Sequence, residues 1–172
     1  MDIFIEEMVE RKRTAVQVAG VFGLMLVSVF FAYILMTLVL PLIPALASVV
    51  FLLTVGVFYF CYRVAVSFNV EYEYSLVGNE IDIDKIQNRK KRKRLTTVNI
   101  RNLENFGVCK NNAEYKKSIG DVSVKKIYAC KDKQDDSNYF AVYFENSVKC
   151  MLIFSPSEKI TEVIEKFNPK RV

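Results

Sequence analysis

Six consecutive cations, Arg89-Lys90-Lys91-Arg92-Lys93-Arg94, are the most chemically pointed stretch of this chain. Such a run attracts phosphates and carboxylates. Near an anionic leaflet each Lys or Arg contributes about 1 kcal/mol, an attraction that dies within a Debye length. Three readings stay open at this level: a solvated, topogenic loop, a docking loop for anionic lipid headgroups or an acidic protein partner, and a nucleic-acid contact. The third is the weakest, because no aromatic set for base stacking is interleaved with the charges and no recognition helix carries them. If the flanking strands alternate in direction, the loop 110–120 with Lys116 and Lys117 falls at the same end of the domain and extends the basic surface.

Residues that could do covalent or metal chemistry are sparse. The chain has no histidine, and its four cysteines, Cys61, Cys109, Cys130 and Cys150, form no C-x-x-C pair. They read as small buried hydrophobes rather than ligands or nucleophiles. Asp82 and Asp84 share a strand face at i, i+2 and with Glu80 have donors for a divalent cation, but the same spacing is that of the outward half of an alternating strand. No catalytic residue, metal or cofactor is expected.

The elements that must carry the basic run begin with a membrane signal. Thr14 to Tyr62 hold forty-nine residues without Asp, Glu, Lys or Arg, about twice the length of one bilayer span. Pro41 and Pro44 divide the stretch, so a helical hairpin is expected, Ala15 to Leu40 and Ile43 to Val66. Ala45-Leu46-Ala47 resembles a signal-peptidase site, but the apolar run before it is too long and resumes at once, so both spans are retained. Arg11, Lys12, Arg13 and Arg63 flank the spans while the turn carries no charge, which puts both termini and the soluble domain in the cytoplasm of a multi-pass cell-membrane protein. Gly20, Gly23 and Gly56 offer small surfaces for helix packing or for dimerisation with another membrane protein.

Three regions follow: an amphipathic cytoplasmic lead-in, 1–13, with Phe4, Ile5, Met8 and Val9 at helical spacing; the hairpin, 14–67; and a soluble domain, 68–172. In that domain the period changes to two. Seven short strands are expected, at 70–76, 81–84, 95–100, 103–109, 122–131, 138–145 and 148–154. A final helix starts with Ser155 as N-cap and Pro156 at its first position, presents Ile160, Val163, Ile164 and Phe167 as an apolar stripe, and ends at Asn168-Pro169. The net charge of +5 over 172 residues belongs to this domain.

The opening Tyr72-Glu73-Tyr74-Ser75-Leu76-Val77-Gly78-Asn79-Glu80-Ile81-Asp82-Ile83, the later Asn99-Ile100-Arg101-Asn102-Leu103-Glu104 and the closing helix from Ser155 to Phe167 resemble the bacterial pleckstrin-homology-like domains that follow transmembrane hairpins. The whole chain is similar to small uncharacterised two-span proteins of Gram-positive anaerobes. The resemblance implies a membrane α-helical hairpin plus a β-rich (α+β) domain, a seven-stranded PH-like barrel or sandwich capped by a C-terminal helix. It also implies a membrane-bound, non-enzymatic binding or scaffolding role. An accessory subunit acting through the hairpin is the alternative. The basic run departs from such domains, so its role rests on this sequence alone.

Overall fold

The computed structural model describes residues 4–110 and 112–168 and divides into two compact units. One unit is the stretch 13–69; the other joins the residues before it to those after it. That second unit is therefore discontinuous in sequence.

The 13–69 unit is a helical hairpin. Helix α1 runs over Ala15–Ile34, widens into a π-helical turn over Leu35–Val39 and closes with the short α2, Leu40–Leu42. The wide turn sits just before Pro41, whose missing N–H leaves a gap in the ladder that a local change of pitch absorbs. A 3-10 turn, Pro44–Leu46, leads into α3, Ala47–Ser67. The stretches Ala15–Val39 and Pro44–Ser67, of mean hydropathy 2.4 and 2.1, are long and apolar enough to cross a membrane. Only 6% and 11% of their apolar windows are buried, unlike the core helices of a soluble protein. Between the helices Ser28 Oγ and Cys61 Sγ lie 2.8 Å apart, both buried, and Arg13 at the foot of α1 donates to Asn69 Oδ1 beyond α3. Gly20, Gly23 and Gly56 are not the contact: a Cβ at any of them would meet nothing within 4 Å.

The other unit holds eight strands among the described residues, in two four-stranded sheets. The first sheet has the order β1-β2-β3-β4, antiparallel throughout: β1 Phe4–Glu10, β2 Val70–Val77, β3 Glu80–Gln87 and β4 Lys91–Asn99. The second has the order β5-β7-β8-β6: β5 Asn105–Val108, β6 Lys125–Ala129, β7 Tyr139–Glu145 and β8 Val148–Phe154. Strands β2 to β8 are the seven expected from the alternation. The eighth, β1, replaces the helical lead-in: residues 4–10 pair with β2 from Phe4 opposite Val77 to Glu10 opposite Glu71. Ile5, Glu7 and Val9 turn inward; Phe4, Glu6, Met8 and Glu10 turn out.

Turn chemistry sets the registers. Gly78 takes φ 60° in the β2–β3 turn, and Asn88-Arg89 and Asn146-Ser147 both take positive φ, the conformation that two-residue hairpin turns require. Tyr74, Leu76, Ile81, Ile83, Val98, Phe106, Leu152 and Phe154 form the core between the sheets. Helix α5, Glu158–Phe167, packs Ile160 and Ile164 fully buried into that core, with Val163 and Phe167 against it. Its start is corrected: the N-cap is Ser157, and Pro156 stands before the helix. Ser155 instead donates its Oγ to Asn138 Oδ1 at 2.6 Å and accepts from Lys131 N at 3.1 Å. Ser157 N donates to Glu7 Oε2 at 3.1 Å, tying α5 to β1. At the far end Asn168 Nδ2 reaches the carbonyls of Ile100 and Leu103; Pro169 lies outside the described residues.

The expected loop 110–120 is helical. Helix α4, Ala113–Gly120, is capped by the side chain of Asn112, which accepts from Glu114 N and Tyr115 N. Strands β5 and β6 run parallel at opposite edges of the second sheet, so their connection must cross a face, as parallel connections do. Tyr115 and Ile119 cover Phe140, Val142, Met151 and Ile153 there. This second cover explains the unbroken buried run Cys150 to Phe154 in β8.

Candidate functional site

The basic run is not a loop. Asn88 and Arg89 make the turn, Lys90 N donates back to Gln87 O at 3.2 Å, and from Lys91 onward the cations are the first half of β4. A register shift opposite Ile83 and Asp84 leaves Leu95 as the extra residue of a bulge. On the outer face β2 contributes Glu71 and Glu73 and β3 contributes Asp82 and Asp84, next to Arg92 and Arg94 of β4.

The run divides by residue type. Arg92 donates to Asp84 Oδ2 at 2.6 Å and to Glu73 Oε1 at 2.5 Å; Arg94 reaches Asp84 Oδ1 at 3.2 Å and Asp82 Oδ2 at 3.0 Å. Arg89 donates to Glu71 Oε1 at 3.0 Å and lies 3.8 Å from Glu10. The guanidinium fork can bridge two carboxylates, which suits it to this ladder. Lys90, Lys91 and Lys93 make no ion pair with a described residue. Half of the six-residue run is thus spent inside the sheet, and the free half is lysine at an exposed hairpin end.

Two carboxylates under the arginines are almost fully covered, Glu73 and Asp84 at 4% exposure each. Burial pushes the Glu73 carboxyl above its ordinary value, with Glu6 and Asp84 adding repulsion that Arg92 offsets only in part. Burial acts on Asp84 in the same direction, but hydrogen bonds from Arg92 and Arg94 overcome it and hold that carboxyl below the usual range. These acids anchor arginines. Among the described residues no group of three or more His, Cys, Asp or Glu could hold a metal. Glu80 lies at the opposite end of β3, where Asp82 accepts from Thr97 Oγ1 at 2.6 Å.

Lys116 and Lys117 sit on α4, on the layer across the second sheet from the first. The cysteines are all free and buried, and burial pushes the Cys109 thiol up to about 12. Sequence reading missed a further feature, the open flank of β1. Two cavities, of about 540 and 500 Å³, run beside this edge strand, bounded on the other side by Lys131, Ser155 and Ser157 to Lys159. The signal was the acidity of Glu6, Glu7 and Glu10, in a segment whose apolar residues fall at helical spacing.

Two packed four-stranded sheets closed by a C-terminal helix fit a PH-like domain. A family described as bacterial PH-like domain (DUF6106) matches residues 1–172, and the chain belongs to it. No curated protein and no solved structure matches the chain.

Proposed function

We propose that this chain is a membrane-tethered, non-enzymatic binding module. Its two apolar helices anchor a PH-like domain that docks on anionic lipid headgroups, or on an acidic protein surface, through the tip of the β3–β4 hairpin. The observation that carries this reading is the division of the basic run: Lys90, Lys91 and Lys93 remain exposed and unneutralised while the arginines are consumed internally. Desolvating a compact ammonium against phosphate needs no rearrangement of the sheet. The flanking charges Arg11, Lys12, Arg13 and Arg63 favour a cytoplasmic domain, where the anionic leaflet lies. Nucleic acid is disfavoured, since no base-stacking aromatics surround the lysines.

The test uses the full chain in nanodiscs with graded phosphatidylglycerol. Amine labelling of Lys90, Lys91 and Lys93 is expected to fall as anionic lipid rises and to recover with salt. Equal labelling in neutral and anionic discs would overturn lipid docking.

A second reading, an accessory subunit acting through the hairpin, is favoured by the open space beside Gly20, Gly23 and Gly56. Bulky substitution there is expected to abolish co-purification with a membrane partner while leaving domain stability intact; retention of the partner would remove this reading.

A further inference from the structure

Among the described residues the first sheet has two unpaired edges of opposite charge, and we propose that they join copies of this chain head to tail, the β1 edge of one copy pairing antiparallel with the β4 edge of the next. The inference goes beyond the docking reading and does not depend on it, but it draws on two of the same lysines, Lys90 and Lys93, so a paired β4 edge leaves Lys91 for headgroups.

Strand β1 carries Glu6, Glu7 and Glu10 and no cation; β4 opens with Lys91-Arg92-Lys93-Arg94 and has no acid. A free edge offers unpaired N–H and C=O groups to any strand that matches it, and like charges on an edge are a common defence. Here that defence works only between like edges. Two β1 strands repel and two β4 strands repel, which blocks a two-fold arrangement, while the unlike edges attract. Strand direction agrees. The sheet is antiparallel throughout, so β1 and β4 run oppositely, and a neighbour in the same orientation continues the alternation.

The register can be derived. Arg11 N donates to Val70 O at 3.0 Å, so by alternation the peptide groups of Glu6, Met8 and Glu10 face the free edge of β1. Carried across β2 and β3, the same alternation turns the peptide groups of Arg92 and Arg94 to the free edge of β4. One pairing then satisfies hydrogen bonding, face and charge together: Glu6 opposite Arg94, Glu7 opposite Lys93, Met8 opposite Arg92 and Glu10 opposite Lys90. A shift by one residue would exchange the faces. A shift by two sets Glu10 against Asn88, or Glu6 and Glu7 against Thr96 and Leu95. Cavities of about 540 and 500 Å³ lie between β1 and Lys131, Ser155 and Ser157 to Lys159. Lys12 N, the next peptide on that edge, is taken by Lys131 O at 2.8 Å, so the unpaired length is Glu6 to Glu10, and Lys91 to Arg94 are all exposed.

The test uses full chains in phosphatidylcholine vesicles, where no anionic headgroup is present, so that failure here says nothing of lipid docking. Two differently tagged populations carry Glu10→Cys and Lys90→Cys; the native cysteines are buried. Oxidation is expected to give mixed-tag dimers and no dimer from either population alone. Same-tag dimers of equal yield, or a mixed yield no higher than for Glu10→Cys with Thr97→Cys, would overturn the pairing. Energy transfer between copies labelled at the C-terminus gives a second readout. Glu6→Lys with Glu10→Lys is expected to abolish transfer, as is the set Lys90→Glu, Lys91→Glu and Lys93→Glu. Both sets in one chain exchange the edge charges and are expected to restore it. A doubly exchanged chain that unfolds cooperatively yet shows no transfer sinks the proposal.

Discussion

At Asp84 and Glu73 burial and ion pairing work against each other, with opposite results. Asp84 has a lowered folded pKa, so its ionised form stabilises the fold; that contribution is full above the ordinary Asp value of 3.8 and is lost as pH falls through the lowered folded value. Asp84→Asn is expected to cost about 2 kcal/mol at neutral pH, since two charged donors lose their acceptor. The cost shrinks in strongly acidic solution, which denaturant titrations at several pH values would show. Glu73 has a raised folded pKa, so its ionisation weighs against folding above that value, and protonation as pH falls through it relieves the burden. Glu73→Gln should therefore be neutral or stabilising at neutral pH in the same titrations. A destabilisation equal to that of Asp84→Asn would mean that the Arg92–Glu73 contact outweighs burial. The basic run hid this arrangement from a reading by composition: six cations show no alternation, and their partners lie on two other strands. The partners were visible nonetheless, since Glu71, Glu73, Asp82 and Asp84 occupy the outward positions of β2 and β3.

Among the elements, β1 has the largest consequence for anyone expressing the soluble part. A fragment beginning at Asn69 lacks the strand that covers Tyr72 and Tyr74 with Val9 and Glu7. It is expected to unfold without a cooperative transition. A version in which residues 1–12 are joined by a short Gly/Ser linker to 70–172 should unfold cooperatively, because Arg11 N and Val70 O are 3.0 Å apart. Equal stability of the two by thermal denaturation would make β1 dispensable. In α5, Ile160→Ala is expected to cost about 2–5 kcal/mol as a cavity in the shared core, measured by chemical denaturation. The stripe Ile160, Val163, Ile164 and Phe167 and the seven strands β2 to β8 were legible because each buries one face. β1 was not, because it breaks its own pattern: Glu7 points inward, where its carboxylate accepts from Ser157 N, and Phe4 and Met8 point outward at 66% and 61% exposure. Those exceptions mimic helical spacing. Helix α4 was missed because it is eight residues long and its amphipathic signal is only Tyr115 and Ile119, although Asn112 was a readable cap.

For the whole molecule, pairing of β1 with β2 on either side of the inserted hairpin binds the two flanks into one sheet. In a bilayer both flanks would then have to lie on one side, with the hairpin crossing an even number of times. Tags at the two termini are expected to share one accessibility in protease-protection assays; opposite accessibilities would contradict the sheet. The same insertion orders biogenesis. Strand β1 is made before the hairpin and must wait for both apolar helices before its partner β2 emerges. A chain whose second helix fails to return leaves β1 stranded across the bilayer, and Tyr72, Tyr74 and Leu76 are exposed as the kind of surface that chaperones and proteases take up. For a chain that spans a membrane, completing the sheet would thus be coupled to threading the hairpin there and back.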